Sequence, residues 1–357
     1  MKHAAVSTPG KLILTGEHAA VYGRPALVAA IDRRMRVEVR ERASSGVVIE
    51  SPLLDRVEER DWASIRDETR TARETWTRWA VAPGSKTWGS PGRAGLVRLA
   101  IGEAVDHAGV SDPPGLTVRI TTDLPVGSGF GSSAAVGLAA AGAVLRVLGL
   151  EPDDETLRRL SLEIERRQHG TPSGVDTEAV LRGGVLWCRR DDDSLRCEPV
   201  TVRSGHLLDG LRVFQSGAPA ESTGEVVAGV RRAREESPRR IEGAVEAIAE
   251  ASREIRRELA GETADPARFV ALVRRCEAAL EILGVVPPAV REAIRRVEAE
   301  GGAAKISGAG SISGEGGGSV LVYHPVAARI ETWEFLSHWA PLPVRLGADG
   351  LRAEEIA

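Results

Sequence analysis

Leu124-Pro-Val-Gly-Ser-Gly-Phe-Gly-Ser-Ser-Ala-Ala-Val136 places three glycines and two serines just ahead of an apolar run. Gly127, Gly129 and Gly131 alternate with other residues and lead into Ser132, Ser133 and an alanine-rich run. Glycine lets the backbone turn sharply and approach a ligand closely, because it has no Cβ to clash. A serine at the start of the following helix can cap it, and the free N–H groups there favour an anion. The stretch therefore reads as a phosphate cradle at a strand-to-helix junction. It lacks the Gly-Lys-[Ser/Thr] of a Walker A loop. A ligand-free turn is the plain alternative, but three glycines and two serines exceed what such a turn needs.

The flanking pattern fits that reading. Leu116–Thr121 is a strand feeding the loop, and residues 132–148 form an apolar helix expected to be buried. Before it, Ala4–Thr8, a Pro9-Gly10 turn, Lys11–Leu14, a polar turn at Gly16-Glu17-His18, Leu27–Ile31 and Met35–Val39 read as short strands and turns, and Val47–Glu50 extends them. Residues 52–90 are charged, contain Trp62, Trp76, Trp79 and Trp88, and show no clean period. They read as an excursion or lid packed by tryptophans. Gly92–His107 reads as a helix, Asp154–Arg167 as an amphipathic helix capped by Asp153 or Asp154, and Gly184–Cys188 as a strand.

Past residue 205 the pattern changes. Leu211–Gln215 is a strand, followed by charged helices near 220–235, 238–260, 266–283 and 287–300. Strands return at Ala304–Ser307 and Ser319–Tyr323, then a helix near 326–338 and a strand near Pro343–Leu346. The chain is thus α+β, in two parts: residues 1–204 and residues 205–357.

Composition sets bounds on function. The 357 residues are 42% hydrophobic and 27% charged, as in an ordinary globular protein, and the net charge of −4 gives no reason to expect nucleic acid or a membrane as partner. No signal-peptide pattern or long apolar run stands out, so the cytoplasm is the expected location. Cys188, Cys197 and Cys276 make no metal spacing. Cys188 and Cys197 can pair in principle, but reduced, partly buried thiols are the expectation. Only Lys2, Lys11, Lys86 and Lys305 are lysines, and Lys11 and Lys305 both sit beside glycine-rich turns.

Three further stretches can carry chemistry. Pro9-Gly-Lys-Leu-Ile-Leu-Thr-Gly-Glu-His18 sets a lysine, a strand and a Glu-His pair in succession. His169-Gly-Thr-Pro-Ser-Gly-Val-Asp176 is a turn of small residues ending on an acid, with Glu165 in the helix before it. Two carboxylates bracketing a turn suit one metal ligand and one group handling a proton. Residues 305–319 form a second glycine-rich loop between strands. Each alone has an ordinary structural explanation. Together they supply what phosphoryl transfer needs, which is mostly positioning and charge stabilisation.

In this order, the stretches resemble the three motifs of the GHMP kinase superfamily: Pro9–His18 the first, Pro125–Ala135 the second and Lys305–Gly310 the start of the third. Gly16–Ala26 and Gly170–Asp176 are closest to the mevalonate kinase form. The resemblance implies an N-terminal ribosomal-S5-domain-2-like part and a C-terminal ferredoxin-like part, with the active site between them. It implies ATP-dependent phosphorylation of the hydroxyl of mevalonate, with Mg²⁺ as cofactor and a homodimer as the commonest assembly. Asp176 and Lys11 would be catalytic. Gly127, Ser128, Gly129, Gly131, Ser132 and Ser133 would bind ATP, Ser133 and Glu165 would hold the metal, and Glu17, His18 and Thr223 would contact substrate. The other readings are a kinase of this fold for phosphomevalonate or a sugar, a diphosphomevalonate decarboxylase, and a non-catalytic binding relative. Two features depart from the family pattern. Ser311-Ile-Ser-Gly-Glu315 interrupts the third glycine run, and Glu221 stands where some members have a basic residue.

Overall fold

The computed structural model describes residues 1–51, 57–81, 92–125, 129–170, 172–191 and 194–356. Two sheets organise them. The strands of the first are β1 (His3–Thr15), β2 (Ala26–Arg42), β3 (Val47–Glu50), β4 (Glu58–Arg60), β5 (Gly115–Thr122), β6 (Val185–Asp191), β7 (Ser194–Pro199) and, from the far end of the chain, β12 (Arg352–Glu354). Their order is β12-β1-β2-β5-β3-β4, with the β6–β7 hairpin also joined to β2. Pairing is antiparallel except between β3 and β5.

β1 is one strand where the sequence suggested strand, turn and strand. Pro9-Gly10 makes a register shift against β2 rather than a reversal. A bulge tolerates the proline that a regular ladder would not. A Cβ on Gly10 would lie 2.3 Å from Leu124 Cδ2, so a larger residue there would have to displace that leucine at the mouth of the glycine loop.

The helices of this part are α1 (Trp62–Val81), α2 (Gly92–Ala108), α3 (Ser132–Val147), α4 (Asp154–His169) and α5 (Val175–Arg182), with α3 and α5 against the sheet and the others packed on helices. In α3 every residue but Ser132, Ser133 and Arg146 is buried, as expected of a helix apolar on all sides. Asp153 caps α4 by accepting from the Thr156 N–H. The stretch read as a tryptophan-packed excursion contains α1. Its amphipathic signal is faint because only Trp62, Ile65 and Thr69 are buried on it. Trp76 Nε1 donates to the Gly170 carbonyl at 2.9 Å. Trp88 lies outside the described residues.

The second sheet has the order β11-β8-β10-β9, all antiparallel, from β8 (Leu211–Gln215), β9 (Ala303–Ser307), β10 (Ser319–Tyr323) and β11 (Ala340–Leu342). With it come α6 (Gly205–Asp209), α7 (Thr223–Glu236), α8 (Pro238–Ala260), α9 (Pro266–Leu283) and α10 (Pro288–Ala299). On α8, Ile241, Val245, Ile248, Ser252, Ile255 and Leu259 are buried at helical spacing. Among the described residues no helix is long and apolar enough to cross a membrane.

Three sequence expectations need correcting in this region and beside it. The helix near 326–338 is two 3-10 turns, Ala327–Thr332 and Glu334–Leu336. Ile330, Trp333, Leu336 and Trp339 are buried at intervals of three, the period of a 3-10 helix and not of an α-helix. The strand near 343–346 is replaced by β11 and β12 on either side, and Leu346 makes only an isolated bridge to Ile31. Cys188 and Cys197 are joined as a disulfide, not reduced: they face each other across the β6–β7 register. Cys276 is free and buried.

Candidate active site

The two sheets meet along the C-terminal half of β1. Ser307 Oγ donates to the Ile13 carbonyl at 2.9 Å, and Thr15 Oγ1 lies 2.9 Å from Ser252 Oγ and 3.0 Å from Cys276 Sγ. At this seam β1, the first turns of α3 and α5, and the β9–β10 hairpin converge.

Lys11 points from β1 toward α5, and its Nζ lies 3.0 Å from Asp176 Oδ1. The lysine side chain is 6% exposed and the aspartate 36%, so the pair opens to solvent on the carboxylate side. Asp176 sits in the first turn of α5 after Gly174, whose φ is +79°. A negative charge there is favoured by the helix dipole. The Lys11 N–H donates to the Phe130 carbonyl at 2.9 Å, which fixes the glycine loop against the lysine.

Gly131 follows with φ +69°, and a Cβ on it would lie 2.8 Å from Lys11 Cγ and 3.6 Å from Asp176 Oδ2. The left-handed angle and the close lysine both demand glycine. The helix cap is this glycine and not Ser132 or Ser133, which make no capping bond. The Ala135 N–H bonds the Gly131 carbonyl, so the N–H groups ahead of it have no partner within the helix. Ser132 and Ser133 are half-buried beside those free donors. Gly129 has φ +82°. Gly127 and Ser128 lie outside the described residues.

Glu165 is buried on α4. Burial pushes its carboxyl up to about 8, and the charge of Asp176 pushes the same way. Lys11 and a hydrogen bond from Thr177 oppose them without cancelling them. Two acids with a single lysine near them leave a carboxylate short of positive charge. The protein supplies no cage: among the described residues no group of three or more His, Cys, Asp or Glu could hold a metal.

Glu17 and His18 lie beneath the third glycine loop. His18 has φ +58°, the single positive value for a non-glycine among the described residues. Strain of that kind amounts to about 1–3 kcal/mol and gathers at functional sites. His18 Nε2 is 2.9 Å from the Ala309 carbonyl. A carbonyl only accepts, so Nε2 carries the hydrogen. Burial pushes the imidazole toward its neutral form.

Glu17 Oε1 accepts from Lys305 Nζ, both side chains being 1% exposed, while Oε2 has no partner among the described residues. Lys305 also donates to the Ile306 carbonyl at 2.6 Å. Beside it Glu277 accepts from the Ile306 N–H at 3.1 Å, and burial pushes its carboxyl up to about 8. The sequence marked Lys305 only by its neighbouring glycines. Its pairing with Glu17, and the presence of Glu277, carry no local signal.

The two departures from the family pattern meet in space. Glu221 accepts from Ser311 Oγ at 2.5 Å, from the Ile312 N–H at 3.0 Å and from Ser313 Oγ at 2.5 Å. These bonds hold its carboxyl down at about 2. Ser311 Oγ in turn accepts from the Ala220 N–H at 3.0 Å. The Ile312 side chain lies against Gly229, where a Cβ would come within 2.4 Å of its Cδ1. The acid is therefore occupied by the inserted segment. Thr223 follows as an exposed residue in the first turn of α7, next to the Ser222–Glu225 capping box.

Residues 96–184 match the family model described as GHMP kinases N terminal domain. The mevalonate kinase of Pyrococcus horikoshii is 30% identical over 100% of this chain and 99% of its own length. That of Thermococcus onnurineus is 31% identical over 98% of both. The crystal structure of the Methanococcus jannaschii mevalonate kinase superposes with a TM-score of 0.74 over 97% of this chain and 98% of that one, at 20% identity. That last likeness speaks to the fold.

Proposed function

We propose a mechanism from one premise: this chain belongs to the mevalonate kinase family, within the GHMP kinases. The reaction moves the terminal phosphoryl group of ATP to the hydroxyl of mevalonate, giving 5-phosphomevalonate and ADP. The Lys11–Asp176 pair carries our assignment of roles.

The acceptor oxygen forms a bond to phosphorus as the bond to the ADP oxygen breaks, and the hydroxyl proton leaves. Asp176 receives or orients that proton, since its open side is free for a hydroxyl while Lys11 holds the other. Lys11 also places a fixed positive charge where the attacking oxygen becomes anionic. The free N–H groups at the start of α3, with Gly129 and Gly131, suit the phosphate chain. Gly127 and Ser128 are assigned with them from sequence.

Ser133 and Glu165 would hold Mg²⁺, which when bound neutralises phosphate charge. A short donor set from the protein suits Mg²⁺, which keeps waters and phosphate oxygens as its remaining ligands. The buried, under-neutralised Glu165 supports this choice. Glu17, His18 and Thr223 are assigned to the acceptor side, with Glu17 and His18 held rigid by Lys305 and Ala309. We place the division between the two parts at 204/205, with β12 returned to the first sheet, and the assembly as a homodimer.

ADP release with mevalonate, phosphomevalonate, homoserine and galactose tests the acceptor. Mevalonate alone should support turnover, and chelation of Mg²⁺ should abolish it. ADP with galactose but not with mevalonate would overturn the reading, as would CO₂ release from diphosphomevalonate.

A further inference from the structure

One cavity shares no residue with the Lys11–Asp176 site. It is a half-open hollow of ≈540 Å³, and Arg24, Arg189, Arg190, Arg253, Arg256 and Arg257 line it, with Asp191 the one acid on its wall among the described residues. We propose that this cavity binds a compact polyphosphate: a di- or triphosphate chain, either free or at the end of an organic ester.

The clustering runs against the composition. Acids outnumber bases in the chain, 51 to 47, so six arginines against one acid among the described wall residues is not what the average surface supplies. The outlying carboxylates do not balance it. Arg24 pairs with Glu242 at 3.2 Å and Glu246 at 2.9 Å, and Arg253 shares Glu246 at 3.0 Å. Arg256 pairs with Glu198 and Arg189 with Asp191, both at 3.3 Å. Among the described residues Arg190 has only the Ser173 carbonyl, at 3.3 Å. Arg257 has no side-chain partner among the described residues. Among the described residues four carboxylates thus answer six guanidiniums, and each paired guanidinium keeps donors to spare.

The geometry favours phosphate over other anions. A single carboxylate would leave part of the positive charge unanswered, and a metal cation would be repelled. Adjacent phosphates present many acceptor oxygens, which planar guanidiniums meet in pairs. The volume falls in the range of small-molecule sites, roughly 300–1,000 Å³. The arginines stand on firm elements: Arg189 and Arg190 on β6, and Arg253, Arg256 and Arg257 on one face of α8. Arg256 lies 4.9 Å over the ring of Trp187, which is buried in the same wall. That cation–π contact fixes its guanidinium before any ligand arrives.

The test is titration calorimetry of inorganic tripolyphosphate into the full chain and into the double variant Arg189→Ala, Arg257→Ala, in magnesium-free buffer, so that the site the two arginines serve is read as the difference between them. The expected result is one site per chain that weakens as salt rises. It should weaken about tenfold or more in the double variant Arg189→Ala, Arg257→Ala, as loss of charge-assisted hydrogen bonds predicts. Both side chains are exposed and neither belongs to the phosphoryl-transfer machinery, so the double variant should keep wild-type turnover, which shows that it is folded. Comparing pyrophosphate with a short alkyl diphosphate identifies the source. Tighter binding of the alkyl form assigns an organic ester, and equal binding a free phosphate chain. No binding, or undiminished binding by the double variant, would overturn the proposal.

Discussion

Lys11 and Asp176 come from opposite ends of the first half of the chain, yet their charged atoms lie 3.0 Å apart. Everything around that contact serves to hold it: the Phe130 carbonyl on the lysine backbone, the helix start under the aspartate, and Gly131 packed on the lysine stem. Asp176→Asn keeps the shape and removes the proton acceptor. Its turnover should fall by about 10²–10⁴-fold, the range for general-base loss, while calorimetry shows ATP binding unchanged. Lys11→Met should behave similarly. Gly131→Ala sets a Cβ 2.8 Å from Lys11 Cγ at φ +69°. It should cost about 1–2 kcal/mol of stability for the left-handed strain, read from urea unfolding, and lower kcat by displacing the lysine. At this scale the sequence marks candidate residues only when its stretches are taken together, and it is silent about their partners. The glycines stand out by local pattern. The Glu17–Lys305 pair does not, because its two halves are joined only when the second sheet packs on β1.

The third glycine loop raises the question at the level of elements. Residues 308–318 connect β9 to β10, and the inserted serines hang on Glu221 just ahead of α7. Two oddities in the sequence, an insertion and a charge reversal, are thus one interaction. Glu221→Ala should loosen the loop, raise KM for mevalonate, leave KM for ATP unchanged and expose residues 311–315 to limited proteolysis. Glu221→Gln, which still accepts hydrogen bonds, should be affected less. The carboxyl is held below its ordinary value, so its contribution is fully present above about pH 4.5 and disappears as pH falls through about 2. The latch therefore stays set at any working pH. Elements with one strong signal were legible: the alanine-rich α3, the glycine loop and the amphipathic α8 follow from period and composition. Where signals conflict, tertiary contacts decide. Pro9-Gly10 has the composition of a turn, but pairing with β2 on one side and β12 on the other keeps the strand straight and makes it a bulge. The Cys188–Cys197 bond likewise depends on register, which spacing alone leaves open.

For the molecule as a whole, the seam between the sheets is where stability and function meet. It buries Glu17, Lys305, Glu277 and Cys276 together, with one lysine for two acids. Burial raises Glu277 to about 8, so the native state keeps a proton that the unfolded chain loses above about pH 4.5. Stability should fall as pH rises across that window and level off above it. Glu165 is raised to about 8 as well and adds to the same slope when no metal is bound. Glu277→Gln should therefore flatten the decline in part, seen as a smaller difference between urea midpoints at pH 5 and pH 8. The α+β class and the change of pattern near residue 205 were readable from the order of strands and helices. The return of β12 to the first sheet was not, since a three-residue edge strand carries almost no signal of its own.

The central claim is that this mevalonate kinase family member moves phosphate to mevalonate through Asp176 held by Lys11. The most direct measurement is phosphorus NMR of the wild type and Asp176→Asn, each supplied with ATP, Mg²⁺ and mevalonate. The wild type should form a phosphate monoester on the 5-oxygen in step with ADP. The variant should form almost none, although it still binds ATP. Near-normal product from Asp176→Asn would contradict it.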